Sequence, residues 1–154
     1  MLFVTFQAGG NRYALEARRI IEVAPRAALR SVAGAPAAIA GLLNYRGVCV
    51  PVVDLCQLLG GEPCRQRLSA RLILTSYRAV NGRERVIGLL AERVTETIAR
   101  AEADFAQAGL HTGPAPQHGL LAADGEGFVQ RIQPEALLAG GLEALLLGPA
   151  EQTT

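Results

Sequence analysis

No lysine occurs in this chain; all fifteen basic residues are arginine. The missing lysine has no structural account. Nor is either charge in excess. Fifteen basic against fourteen acidic residues leave a net charge of +1, which excludes a strong electrostatic pull on nucleic acid or anionic lipid. Long apolar runs are absent as well. The longest stretch near the end, 137–148, is too short to span a bilayer and contains Glu143. The opening MLFVTF has no cationic region and no small-residue cleavage site, so no signal peptide is expected. Cys49, Cys56 and Cys64 form no CxxC pair, which argues against a zinc ribbon or a thioredoxin-type motif. Their odd number fits a reducing, cytoplasmic setting. No phosphate-cradling glycine motif is present.

What remains is a chain of 154 residues, half of them apolar, with 26 alanines and 22 leucines. Mean hydropathy is +0.24. Such a chain is not a disordered tail. Its length allows one domain, or two small lobes, burying roughly 70% of the unfolded surface.

Turn signals dominate the pattern. Gly9-Gly10-Asn11, Arg46-Gly47, Asn81-Gly82 and Asp124-Gly125 each separate two short apolar runs. Residues of this kind tolerate the positive φ angles of tight hairpins. They predict a mostly-β protein with many short strands. The run 48–53 is apolar at every position and predicts a strand covered on both sides. Pro51 within it marks an edge or a bulge. Residues 16–22 and 91–96 predict one or two helical turns each. A C-terminal helix is expected from Pro134 at its first turn through 136–147, broken at Gly140-Gly141. Residues 107–118 read as a loop and 149–154 as a frayed tail.

The chain also repeats itself. Segment 14–22 aligns with 88–96, 41–47 with 119–125, and 58–61 with 137–140. Two related offsets in one order suggest a duplication, with copies at about 2–61 and 71–141. Each copy predicts a strand pair, a short helix, a hairpin and a helical turn. Two small β-barrels packed on each other is the natural architecture, because closure removes sticky edges. The first copy carries Asn44, Arg46, Pro51 and Asp54 where the second has none of them, so function is sought on the first.

Catalytic machinery is not recognisable. His111 and His118 lie in or beside the Pro/Gly loop without a carboxylate or cysteine at ligand spacing. Cys49, in an apolar strand, reads as an inert small hydrophobe. Cys56 and Cys64 flank a loop with no basic neighbour to activate them. Arg65, Arg67 and Arg71 read as a solvated rim. Glu16, Glu22, Glu92 and Glu96 recur with the duplication as surface glutamates. No metal, cofactor or catalytic residue is expected. A small enzyme or ligand-binding barrel using Cys56 or His118 is the competing reading.

The segment 41–55, GLLNYRGVCVPVVDL, resembles the CheW family. That family shows a glycine, two apolar residues, Asn-x-Arg-Gly, then apolar-x-Pro-apolar-apolar-Asp-Leu. Tyr13-Ala14-Leu15, Ile20-Ile21-Glu22-Val23, Ala35-Pro36 and the run 88–94 are similar to further family segments. The resemblance covers about residues 2–147. It implies two intertwined SH3-like five-stranded β-barrels with short helices and a C-terminal helix, forming one domain over 1–148 with strands exchanged between lobes. It implies a non-catalytic cytoplasmic adaptor, recruited to membrane-associated receptor arrays without inserting in the membrane. The implied partners are the tip of a methyl-accepting chemotaxis receptor and the regulatory domain of a CheA-type histidine kinase. The alternative is a scaffold or decoy that associates with itself or with kinase.

Carried over residue by residue, Arg46 matches the receptor-coupling arginine and Glu22 its paired glutamate. Ile20 matches an apolar position bordering the receptor groove. Asn44 opens the Arg-Gly turn, and Gly41 and Gly47 match turn glycines. Pro51 and Asp54 complete the motif as a bulge and a helix N-cap. The chain departs from the pattern at Cys56, where the family has arginine, at Ala91-Glu92, where it has Val-Asp, and at the polar Gln130-Arg131. These departures suggest a divergent paralogue.

Overall fold

The computed structural model describes residues 1–25, 27–64, 70–79, 81–101, 104–105, 121–124, 127–138 and 142. Among the described residues these strands and helices follow one another: β1 (Leu2–Ala8), β2 (Asn11–Glu16), β3 (Ile20–Pro25), β4 (Ile39–Tyr45), β5 (Val48–Asp54), α1 (Leu55–Gly60), β6 (Arg71–Arg78), β7 (Glu84–Ala99), β8 (Leu121–Asp124), β9 (Gly127–Arg131) and α2 (Pro134–Leu137). The chain is mostly β, as its turn signals predict. Ala8 pairs with Asn11, Tyr45 with Val48 and Asp124 with Gly127. Each pairing closes a two-residue hairpin at a predicted turn. The Asn81-Gly82 turn joins β6 to β7, and its Asn81 Oδ1 accepts the Arg83 N–H at 3.0 Å.

The strands form two five-stranded sheets that share β7. In the first sheet the order is β3-β6-β7-β5-β4, using 84–91 of β7. In the second it is β7-β1-β2-β9-β8, using 92–99. β7 changes sheets at Arg93, which has φ 50, and its register against β1 slips between Thr5 and Gln7. Arg19, the equivalent of Arg93 in the first copy, ends a three-residue 3-10 turn, Ala17–Arg19, between β2 and β3. The chain therefore crosses from one sheet to the other at the same place in both copies. Each sheet takes two strands from one copy and three from the other.

Of the two helical turns expected at 16–22 and 91–96, the first is present as the 3-10 turn Ala17–Arg19, flanked by β2 and β3. The second is absent, because 91–96 lies within β7, kinked at Arg93. The apolar spacing of 91–96 fits a short helix as well as it fits β-structure, and pairing with β1 decides the matter. The C-terminal helix is confirmed at its start, with Pro134 in the first turn. Its predicted continuation through 143–147, the 107–118 loop with His111 and His118, Arg65, Arg67 and the 149–154 tail lie outside the described residues.

Two apolar clusters fill the interior. The larger includes Phe6, Leu15, Val52, Val53, Leu55, Leu72, Ile87 and Leu89. The smaller joins Phe3, Ala14, Phe105, Ala122 and Val129. β5 enters the larger cluster only with its second half. Val50, Val52 and Val53 are buried, whereas Val48 and Cys49 are exposed at the hairpin end. The strand is thus not covered throughout.

Two further expectations are corrected. Gly41 is not a turn glycine. It lies inside β4 with φ +147, and a Cβ there would meet Arg30 O at 2.6 Å. The glycine lets the 29–30 backbone lie directly on β4, where Arg30 and Leu42 exchange two hydrogen bonds of 2.9 Å. The bulge belongs to β4, between Ile39 and Gly41, and not to Pro51. Because Leu42 bonds to Arg30, the Leu42–Pro51 pair carries no ladder bond. The missing N–H of Pro51 faces the side where pairing with β7 begins only at Val52.

The cysteines are the third correction. Cys56 and Cys64 are buried and joined as a disulfide, with Cα atoms 4.9 Å apart. Cys49 is the exposed, free cysteine among the described residues. α1 places Cys56 in its first turn. Left-handed Gly61 then ends the helix and reverses the chain, and this return brings Cys64 back beside Cys56.

Candidate functional site

The Arg46-Gly47 turn presents the site. A two-residue hairpin loop of this type needs positive φ at both central positions, and Arg46 and Gly47 have φ 52 and 83. The left-handed conformation costs a non-glycine residue about 1–2 kcal/mol. Asn44 Oδ1 accepts the Gly47 N–H at 2.9 Å and so holds the turn. The acceptor of Asn44 thus works inside the hairpin, positioning Arg46.

Glu22 reaches the same place from β3. Arg46 NH2 stands 3.6 Å from Glu22 Oε1, with side chains 78% and 41% exposed. An ion pair this exposed contributes about 0–1 kcal/mol to stability. Its importance is geometric. Tyr45 Oη donates to the same Oε1 at 2.9 Å, and the Arg46 guanidinium lies 5.1 Å from the Tyr45 ring centroid. The hydrogen bond to Glu22 raises the Tyr45 phenol above its ordinary 10.0, and the Arg46 charge opposes that rise. Tyr45 is a member of the site that the motif reading missed. Its signal was present as an aromatic residue immediately before the turn arginine.

Ile20 is placed differently from its neighbours. It is half-buried and packs against the larger core cluster, so it gives the site only part of its surface. The exposed apolar residues of β3 are Ile21 and Val23. Alternation along the strand puts them on the face opposite Glu22. Farther along the hairpin, Leu42 and Pro51 meet Val32, Gly34, Ala35 and Ile39 around an apolar hollow of about 320 Å³. Leu42 is three residues from Tyr45, which is roughly 10 Å along a strand. The structure therefore brings Glu22, Asn44, Arg46 and Gly47 together at one tip. Gly41 and Pro51 stand behind it as strand residues.

Asp54 closes the motif at the other end of β5. Its Oδ1 accepts the Gln57 N–H at 3.0 Å, capping α1. The Cys64 N–H also donates to Oδ1 and Oδ2 at 3.2 and 3.0 Å. Asp54 is buried, and these three contacts account for its burial.

The divergent Gln130-Arg131 pair proves to be half of a buried contact. Arg131 bonds to Glu16 across β9 and β2, with side chains 4% and 9% exposed. Glu16 is therefore no surface glutamate. Its second oxygen accepts Arg18 Nε at 2.6 Å. Glu16 and Arg18 also line a polar hollow of about 540 Å³, together with Arg19, Arg78, Glu84 and Glu135 among others.

The comparisons with known proteins agree with this geometry. The sequence model of the CheW-like domain matches residues 2–140. The chain is 23% identical over 102 residues to the chemotaxis protein CheW of Rhizobium meliloti (strain 1021). That match covers 66% of this chain and 63% of the relative's own length. Among solved structures, the scaffolding protein TtCheW of Thermoanaerobacter tengcongensis superposes with a TM-score of 0.72 at 22% identity, covering 92% of this chain and 89% of that one. With a family match over nearly its whole length and the corresponding fold, the chain belongs to the CheW-like domain family.

Proposed function

We propose that this chain couples a methyl-accepting chemotaxis receptor to a CheA-type histidine kinase, as a cytoplasmic adaptor held at membrane-associated arrays. In this reading it does no chemistry of its own, and the domain over 1–148 works as one two-lobed unit. Receptor contact runs through Arg46, oriented by Glu22, Tyr45 and Asn44 and bordered by Ile20. The observation that carries this reading is the conformation of Arg46. An arginine sits at φ 52, where asparagine or glycine would avoid the strain, with its guanidinium largely exposed. Strain kept at an exposed charged residue points to a binding role. An exposed guanidinium fork suits a carboxylate on the partner.

The test is a titration of the chain with the cytoplasmic hairpin of a chemoreceptor. Arg46→Glu is expected to leave the circular dichroism spectrum unchanged and to weaken binding at least roughly tenfold, the loss of one charge-assisted hydrogen bond or more. Equal affinity of the two proteins would remove Arg46 from the interface.

Self-association is the second reading, and β3 favours it. This strand pairs with β6 on one side and is an end strand of the sheet order, with Ile21 and Val23 exposed. Such an edge can add a strand from another copy. Val23→Lys would then abolish a dimer seen by sedimentation while leaving receptor binding intact.

A further inference from the structure

A second cluster of functional groups lies at the opposite end of β5 from the Arg46 turn. Asp54, Cys56 and Cys64 are all buried, and each offers a donor atom within 4.8 Å of the others. Glu92, from β7, brings Oε1 to 3.9 Å from Cys56 Sγ. Two cysteines and the Asp54 carboxylate thus converge, with the Glu92 carboxylate standing beside Cys56. In the disulfide form the sulfurs bond to each other, and no cation has a place there.

We propose that the reduced form of this cluster is a zinc site, with the thiolates of Cys56 and Cys64 and the carboxylates of Asp54 and Glu92 as its four ligands. The donor set selects the metal. Thiolates exclude the hard cations calcium and magnesium, and mixed sulfur and oxygen donors in a tetrahedral array suit Zn²⁺. Four anionic donors around Zn²⁺ give a net charge of −2, the same as an all-thiolate structural site. Asp54 has capacity left for a metal. A carboxylate has about four acceptor positions, and backbone N–H groups make three contacts with it. Those contacts also fix its orientation, as groups outside the coordination shell commonly do. The spacing is preset by the fold, since α1 and the reversal at Gly61 hold Cys64 against Cys56.

The two states interconvert by a balanced step. A dithiol reductant transfers two electrons and two protons to the Cys56–Cys64 bond. The S–S bond breaks, two thiols form, and the reductant becomes a disulfide. Zinc binding then displaces the two thiol protons. Oxidation reverses both events and ejects the metal. This site is independent of the Arg46 turn and of the partner assigned to it.

The experiment uses the full chain in two forms, one with its disulfide intact and one reduced by a phosphine. Each is titrated with Zn²⁺ against a chromogenic chelator. The reduced protein is expected to hold about one zinc per chain, and the disulfide form none. Glu92→Gln should weaken zinc binding by roughly 10- to 100-fold, and Cys64→Ser should abolish stoichiometric binding. Equal zinc content in the two redox forms would overturn the proposal, and so would a reduced protein that binds no zinc. The wild-type comparison decides the point even if Cys64→Ser fails to fold. Unchanged affinity in Glu92→Gln would remove Glu92 as a ligand and refute the four-ligand set.

Discussion

Arg46 and Gly41 both have positive φ, yet their substitutions have opposite consequences. At Arg46 the side chain is exposed and only the backbone is strained. Arg46→Gly relieves about 1–2 kcal/mol of left-handed strain and adds back about 0.4–1 kcal/mol of unfolded-chain entropy. Its stability in urea is expected to stay within about 1 kcal/mol of the parent, while receptor binding falls as it does for Arg46→Glu. A large loss of stability would mean that the guanidinium holds the hairpin together. At Gly41 the backbone of Arg30 fills the place of a side chain. Gly41→Ala forces backbone to move as well as straining φ, so it should destabilise by more than about 2 kcal/mol, read from the urea midpoint. Both residues belong to one motif. The sequence alone could not separate the glycine needed for close packing from the arginine proposed to make the partner contact.

Between elements, ion pairs join strands and helices that the duplication placed in different copies. Glu16 and Arg131 tie β2 to β9, whose parallel register runs from Arg12↔Val129 to Ala14↔Arg131. Removing one partner leaves a buried charge, so Glu16→Leu should cost about 3–5 kcal/mol. Replacing both, as Glu16→Leu with Arg131→Met, should restore most of that loss. Additive effects in this double-mutant cycle would show that the two residues act independently. Glu135, at the start of α2, receives the Arg19 guanidinium and the Arg78 N–H, the latter at 2.9 Å. Burial pushes its carboxyl up, but these donors outweigh burial and hold it below the ordinary 4.5. The folded state therefore favours the ionised form. This contribution is fully present above pH 4.5 and is lost as pH falls through the lowered value. Thermal melts should decline over that range, and Arg19→Met should flatten the decline. An identical pH profile in Arg19→Met would show that Arg19 does not hold the carboxyl down.

Over the whole molecule, the sheets and the sequence copies do not coincide. The first sheet combines β3, β4 and β5 with β6 and the first half of β7, and the second combines β1 and β2 with the remainder. Neither half of the chain can complete a sheet alone. Fragments 1–66 and 67–154 should each lack dispersed amide resonances when expressed separately, and should recover them on mixing. A fragment that folds unaided would show that one copy still suffices to build a lobe.

Much of this fold could be read from local signals. A Gly-Gly, Asn-Gly or Arg-Gly pair between apolar runs dictates a tight turn wherever it occurs, so the four hairpins and the mostly-β class followed from residues a few positions apart. The Asn44-Tyr45-Arg46-Gly47 tip was legible for the same reason, and so was its likeness to the CheW pattern. Contacts between distant segments were not legible. Segment 91–96 looks helical until β1 claims its backbone hydrogen bonds. Glu16 looks exposed until Arg131 arrives from 115 residues away, and Cys56 looks like a loop thiol until Gly61 turns Cys64 toward it. Sequence by itself determined turns, strand content and the hairpin at Arg46-Gly47, because these depend on intrinsic backbone preferences. Only the tertiary structure decided which strands share a sheet, which charges are buried and which cysteines meet, because each depends on where the chain returns.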